Sequence, residues 1–147
     1  MITQLGYEAA PDDIQLRLSR LLLHDDQQLF VAESGGAIVG WVHVIRAEYL
    51  EADPFVVIGG LVVDRECRRQ GIGRRLMLEA EAWARTQRCT VVRLSSSVTR
   101  TAAHEFYERL GYTKIKTQYA FAKGFDGSAG TDWSVFVPRV DERGGKR

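Results

Sequence analysis

Val56-Val57-Ile58-Gly59-Gly60-Leu61-Val62-Val63-Asp64-Arg65-Glu66-Cys67-Arg68-Arg69-Gln70-Gly71-Ile72-Gly73-Arg74-Arg75-Leu76 is the stretch whose reading decides the fold. It opens as an apolar run rich in β-branched residues, the pattern of a buried strand, and passes through a short basic turn into a helix whose first residues carry two glycines. A helix leaves its first N–H groups unpaired and turns the positive end of its dipole outward. An anion placed there gains hydrogen bonds and a favourable field. Gly71 and Gly73 have no Cβ, so phosphate oxygens can approach the main chain, while Arg68, Arg69 and Arg74 add charge around the rim. The turn therefore reads as a phosphate holder. It is not a Walker loop, because no Lys-Ser or Lys-Thr follows. Nor is it a dinucleotide fingerprint, because the third glycine is missing and no acidic residue ends a second strand about 20 residues on.

Working outward, Arg68-x-x-Gly71-x-Gly73 after an apolar strand resembles the pyrophosphate loop, R/Q-x-x-G-x-G/A, of the GNAT superfamily of acyl-CoA-dependent N-acetyltransferases. A second block, Ala103-His104-Glu105-Phe106-Tyr107-Glu108-Arg109-Leu110-Gly111-Tyr112, is similar to the family's A-x-x-F-Y-x-x-x-G-F/Y helix, and the resemblance runs from about Leu29 to Lys123. It implies acetyl-CoA as cosubstrate. The cosubstrate would be held by Leu61, Val62 and Val63 of the strand, by Arg68, Arg69, Gln70, Gly71, Ile72, Gly73 and Arg74 of the turn, and by Arg100. Arg100 stands where many relatives have an asparagine against the pantetheine, so it either reaches a phosphate or blocks the arm.

The fold implied is α/β: a mixed sheet with helices on its faces, in which the strands at 55–63 and 90–98 splay apart and the pantetheine lies in the gap. Gly59-Gly60 suits the bulge that opens this gap, or else only relieves crowding. The family also implies a homodimer and an opening strand and helix, and here the chain is expected to start near the end of that helix, at about Gln4-Leu5-Gly6-Tyr7, without the usual opening strand. The segment Trp133-Ser134-Val135-Phe136-Val137-Pro138 is expected to supply the missing strand, within the chain or in a partner chain.

The remaining elements follow from local signals. Pro11-Asp12-Asp13 opens a helix with Asp12 or Asp13 as cap and Ile14, Leu18, Leu21 and Leu22 on one face. Strands at 29–33 and 37–46 are joined by Ser34-Gly35-Gly36, and residues 47–54 are expected to form a loop. After the phosphate turn, Ile72, Leu76, Ala80 and Trp83 form a core stripe, with Arg88 where glycine often ends a helix. A strand over 90–98, a helix over 101–110 closed by Gly111, and a strand over 115–122 complete the pattern. Residues 1–140 read as one domain and 141–147 as a polar tail.

Acetyl transfer to an amine needs a neutral nitrogen, yet an alkylammonium has a pKa of about 10, so a base or relay must remove a proton. Many relatives carry a glutamate on the strand before the phosphate turn; here that strand offers Val56, Val57 and Ile58. The carboxylates nearby are Glu48, Glu51 and Asp53, and His43 is the other candidate. Glu48 is taken as the catalytic base, with binding of a cationic acceptor, or plain solvation, as its other readings. By resemblance Tyr107 donates a proton to the departing thiolate, whose conjugate acid has a pKa near about 8.5. A backbone N–H near Leu61 or Val62 would hold the oxyanion. His104, three residues before Tyr107, reads as packed or solvent-facing.

With 147 residues, 45% hydrophobic and 27% charged, the chain suits one globular domain, and a net charge of +1 offers no basic face for nucleic acid or membrane. No apolar run is long enough to span a bilayer and no secretory leader is evident. Cys67 and Cys89 have neither metal-ligand nor disulfide-framework spacing, so no metal and a reducing cytoplasm are expected. The function expected is acetyl transfer from acetyl-CoA to a small-molecule primary amine by direct attack in a ternary complex. A protein lysine or N-terminal acetyltransferase and a non-catalytic acyl-CoA sensor are the alternatives.

Overall fold

The computed structural model describes residues 11–125, in two compact units that meet at Ser95 and Ser96. The chain start near Gln4, the strand expected at Trp133 to Val137 and the tail 141–147 lie outside the described residues.

The first unit is built on one sheet. Helix α1 (Pro11–Leu21) precedes strands β1 (Gln27–Ser34), β2 (Ala37–Tyr49) and β3 (Ala52–Val63); a 3-10 turn (Arg65–Cys67), helix α2 (Ile72–Thr86) and strand β4 (Val92–Arg93) follow. The strand order is β1-β2-β3-β4, antiparallel except for the β3–β4 pair, so the sheet is mixed as expected. Ser34 pairs with Ala37, leaving Gly35 (φ 58°) and Gly36 (φ 78°) as a two-residue turn whose positive φ values match the twist of the flanking strands. Val42 and Val44 of β2, Val56 of β3 and Met77 of α2 are fully buried, and they mark where α2 lies on the sheet. Burying a side chain the size of Met77 contributes about 2 kcal/mol.

Several local expectations are corrected. Residues 47–54 are not a loop: β2 continues to Tyr49 and β3 restarts at Ala52, with Leu50 and Glu51 between them. Charged residues are accommodated because this end of the ladder is solvent-facing, and Tyr49 packs edge-on against Phe55 at 5.0 Å. The strand expected over 90–98 shrinks to Val92–Arg93, paired only with Val56 and Val57. The cause lies in β3. His43 pairs with Gly60 and Val44 with Ile58, so Gly59 is an extra residue, a β-bulge that ends the regular ladder on the β4 side. Asp12 and Asp13 are not caps of α1: both already lie in its first described turn. The buried stripe of α2 is Leu76, Met77, Ala80 and Ala84, with Trp83 half-buried at its margin.

α2 ends as a Schellman motif. Arg88 takes φ 57°, its N–H reaches the carbonyl of Arg85, and the N–H of Cys89 reaches that of Ala84. The left-handed position predicted for a glycine is real, and an arginine occupies it.

The second unit contains α3 (Thr101–Arg109), which closes in the same way: Gly111 at φ 92°, its N–H on Glu108, and the N–H of Tyr112 on Tyr107. The strand expected over 115–122 is absent among the described residues. A strand needs a ladder partner, and this segment has none there; Ile115, Tyr119 and Phe121 are exposed.

Candidate active site

The phosphate turn begins where β3 leaves the sheet. Asp64 Oδ1 accepts from the Glu66 N–H at 2.9 Å and the Asp64 carbonyl accepts from the Cys67 N–H at 3.0 Å, which folds 65–67 into a tight turn. Arg68 Nε then donates to the Val63 carbonyl at 3.1 Å, tying the turn back to the strand. Arg69 (φ 61°) and Gly71 (φ 78°) are both left-handed, and Gly71 is the N-cap of α2. No side chain among the described residues caps that end and its first turn holds no acidic residue, so there the leading N–H groups and the helix field are open to an anion. Arg68, Arg69, Gln70 and Arg74 are exposed around it, and Gly73 and Ile72 are half-buried. The glycine conformation and the charges were legible in the sequence because dihedral preference and charge are local properties, whereas the left-handed Arg69 was not expected.

The backbone of β3 is arranged by the bulge. Val56 donates its N–H to the Val91 carbonyl, toward β4, at 3.0 Å, whereas Asp64 donates to the Val39 carbonyl, toward β2, at 2.8 Å. Successive N–H groups of a strand alternate in direction, so two even-numbered residues would face the same side were the strand unbroken. The extra residue at Gly59 reverses the phase. Beyond it, Gly60, Val62 and Asp64 face β2, and Leu61 and Val63 turn their N–H and C=O groups outward, past the last β4 pair. Of the two oxyanion candidates, Leu61 is thus the one with an outward N–H.

Glu48 sits near the other end of this ladder. Ala47 pairs with Phe55, six residues before Leu61, a span of roughly 20 Å along the strand. Its carboxylate is engaged by Arg46 Nη2 at 2.8 Å, an exposed pair. Arg93 stacks over the Phe55 ring at 4.0 Å near the same end.

His43 lies over the bulge. A Cβ built on Gly59 would stand 2.8 Å from His43 Nδ1, and one on Gly60 would stand 2.9 Å from the Trp41 ring, so both glycines are required by close approach of side chains from β2. His43 Nε2 is 2.9 Å from Gln27 Oε1, and burial holds the imidazole below its usual pKa. No sequence signal marks Gln27: its partnership is set by register between β1 and β2, where Gln27 faces Ile45 and Leu29 faces His43.

In the second unit, Tyr107 packs against Phe106 at 5.2 Å and Tyr112 at 6.1 Å. Burial raises its phenol above the ordinary value, and the charge of Arg100, the residue that precedes α3, opposes this in part. His104 Nε2 is 2.9 Å from the Ser97 carbonyl, to which it donates, so its ring fastens the start of α3 and does not orient Tyr107. Ser96 Oγ is buried without a hydrogen-bond partner among the described residues, a hydroxyl the sequence analysis did not single out. Among the described residues no group of three or more His, Cys, Asp or Glu is placed to hold a metal, and no helix is long and apolar enough to cross a membrane.

Comparison with known proteins now bears on this geometry. The profile described as "Acetyltransferase (GNAT) family" matches residues 3–112. The chain is 30% identical over 105 residues to the uncharacterized N-acetyltransferase YhdJ of Bacillus subtilis (strain 168), covering 69% of this chain and 74% of that protein. It is 23% identical over 126 residues to an aminoglycoside N(6')-acetyltransferase type 1 of Serratia marcescens, covering 82% and 86%. Among solved structures, an aminoglycoside 6'-N-acetyltransferase from Acinetobacter haemolyticus superposes with a TM-score of 0.71 at 21% identity, over 82% of this chain and 86% of that one. AAC(6')-Iy in complex with a CoA-S-monomethyl-acetylneamine bisubstrate analogue superposes with a TM-score of 0.77 at 19% identity, over 85% and 88%. The structural likenesses establish a shared fold.

Proposed function

This chain belongs to the GNAT acetyltransferase family and is an acetyl-CoA-dependent N-acetyltransferase; from that premise we propose that it acetylates a primary amine of a small molecule by direct attack in a ternary complex. The observation that carries the reading is the edge of β3 beyond its last β4 pair, where Leu61 turns outward and the Val63 carbonyl accepts from Arg68, followed along the chain by the N-terminus of α2 at Gly71, which no described side chain caps.

Those residues fit the cosubstrate's shape and charge. Polar strand edge would pair with the amides of the pantetheine, with Val62 between the two outward residues; N–H groups of the first turn of α2, together with Arg68, Arg69 and Arg74, would bind the diphosphate, with Gln70, Ile72 and Gly73 lining the approach. By the family resemblance Arg100 would add a further cation for a phosphate. Acetyl-CoA supplies an electrophilic thioester carbonyl and a thiol leaving group.

Leu61 N–H would hold the carbonyl oxygen as it gains charge. Tyr107, kept protonated by burial, would donate its phenolic proton to the departing sulfur. Glu48, already paired to Arg46 and far along the ladder from Leu61, would contribute on the side of a cationic acceptor and would not make the first proton transfer. The aminoglycoside acetyltransferases among the relatives support a polyamine-like amino sugar as the first acceptor to try.

The test is thiol release from acetyl-CoA against aminoglycosides, polyamines, amino acids and basic peptides, with Tyr107→Phe beside the parent. The expected result is turnover with a small-molecule class, reduced about tenfold or more in the variant. Turnover confined to peptides would replace the acceptor assignment. Tight cofactor binding without transfer to any amine would overturn the enzyme in favour of a sensor, and equal activity in both proteins would remove Tyr107 from the chemistry.

A further inference from the structure

We propose that His43 is the group that accepts the amine's proton during acetyl transfer, and that Gln27 is the positioning residue that dedicates its Nδ1 to that task. The proposal rests on the acetyltransferase reading above and names a base that the strand before the phosphate turn does not provide.

Three observations converge on it. First, place: His43 is the cross-strand partner of Gly60, one residue from Leu61, whose N–H faces the proposed thioester oxygen. The bare Cα of Gly59 lets the imidazole lie against the bulge, with Nδ1 2.8 Å from where a Cβ would stand. Second, tautomer: an amide oxygen only accepts, so the contact between Nε2 and Gln27 Oε1 at 2.9 Å places the ring hydrogen on Nε2. Nδ1 is left with its lone pair, and no described residue hydrogen-bonds it. Third, surroundings: His43 stands opposite Leu29 of β1 and Gly60 of β3 and on the face of β2 that also carries Trp41 and Ile45, with the neutral Gln27 as its hydrogen-bond partner. No carboxylate or cation among the described residues acts on it; burial alone shifts it, toward the neutral form.

The step balances as follows. The amine binds with its nitrogen lone pair free, its first ammonium proton having gone to water. As that nitrogen bonds to the thioester carbonyl carbon it becomes cationic and its N–H acidity rises sharply. One N–H proton then passes to His43 Nδ1, giving imidazolium. The C–S bond breaks, its electron pair leaving with sulfur, which takes the Tyr107 proton. Imidazolium then releases its proton to water, and tyrosinate regains one from water. A weakly basic imidazole is a poor match for a free ammonium and a good one for the attacking nitrogen, because transfer occurs only as the bond forms.

The experiment combines pH profiles of kcat/KM with ring-nitrogen NMR on the full chain. In the parent, kcat/KM should fall on the acid side with an inflection below about 6.5, the ordinary imidazole value. His43→Gln should lose about 100-fold in kcat with acetyl-CoA affinity retained, and the acid inflection should disappear. Gln27→Glu puts a carboxylate on Nε2–H and should move the inflection up by about one pH unit, which a residue that merely packs would not do. NMR should show the Nε2–H tautomer in the free protein. Activity of His43→Gln within about threefold of the parent, with the acid limb unchanged, would overturn the proposal while leaving the acetyltransferase intact. So would an Nδ1–H tautomer or an unmoved inflection in Gln27→Glu, even if His43→Gln fails to fold. A parent protein that transfers acetyl to no amine would overturn the acetyltransferase reading itself, and the base with it.

Discussion

Replacing Gly59 with alanine puts a methyl carbon 2.8 Å from His43 Nδ1 and 3.3 Å from Ile45 Cδ1. Gly59 does not occupy the left-handed region, so the penalty is spatial and not conformational. Nδ1 is bonded to the ring carbon that carries Cβ, so the imidazole cannot retreat by flexing a tail; it must rotate as a body. Rotation breaks the 2.9 Å hydrogen bond to Gln27, about 1 kcal/mol, and crowds the ring against its β2 neighbours, about 1–2 kcal/mol. The expected loss is about 2–3 kcal/mol, which for a chain of 147 residues lowers Tm by about 6–9 °C. Urea or calorimetric unfolding of four proteins measures it: the parent, Gly59→Ala, His43→Ala and the double variant. In the His43→Ala background the alanine should cost less than about 1 kcal/mol, because only the Ile45 contact remains. An equal loss in both backgrounds would refute the argument that His43 is what keeps position 59 a glycine. So would no loss in either.

Two further outcomes follow from the helix ends. Arg88→Gly should stabilise the protein by about 0.5–1 kcal/mol, raising Tm by about 2–3 °C with activity unchanged, because φ 57° costs an arginine what glycine avoids; calorimetry and the thiol assay check both halves. Gly71→Ala has open space for its Cβ but φ 78°, so it should cost about 1–2 kcal/mol from backbone strain alone, and its methyl group at the N-cap should weaken acetyl-CoA binding by about tenfold. Isothermal titration separates the two effects, and an unchanged affinity would place the diphosphate elsewhere.

The sequence was most informative where chemistry is local. Gly35-Gly36, Gly71 and Gly111 all adopt the left-handed conformations that a reading of turns and caps requires, and even Arg88 sits at the left-handed position its place in the chain implied. The reading was weakest where an element depends on a distant partner. The hairpin at 47–54 looked like a loop because its residues are polar, although hydrogen bonding across the ladder, not side-chain polarity, holds it. The strands expected at 90–98 and 115–122 had suitable residues and lacked neighbours along most of their length.

The candidate site divides along the same line. Sequence alone determined the strand–turn–helix that rings an uncapped helix start with arginines, and it determined Tyr107 within a recognisable helix, since both follow from residue types at fixed spacing. Tertiary structure alone decided which strand residues face outward. The single extra residue at Gly59 reverses the direction of every later N–H, and that insertion exists only in the register of β3 against β2. It likewise decided that Gln27, 16 residues before His43, meets its ring and fixes its tautomer. Spacing along a chain specifies dihedral angles and faces; pairing across a sheet specifies neighbours, and only the folded ladder contains that information.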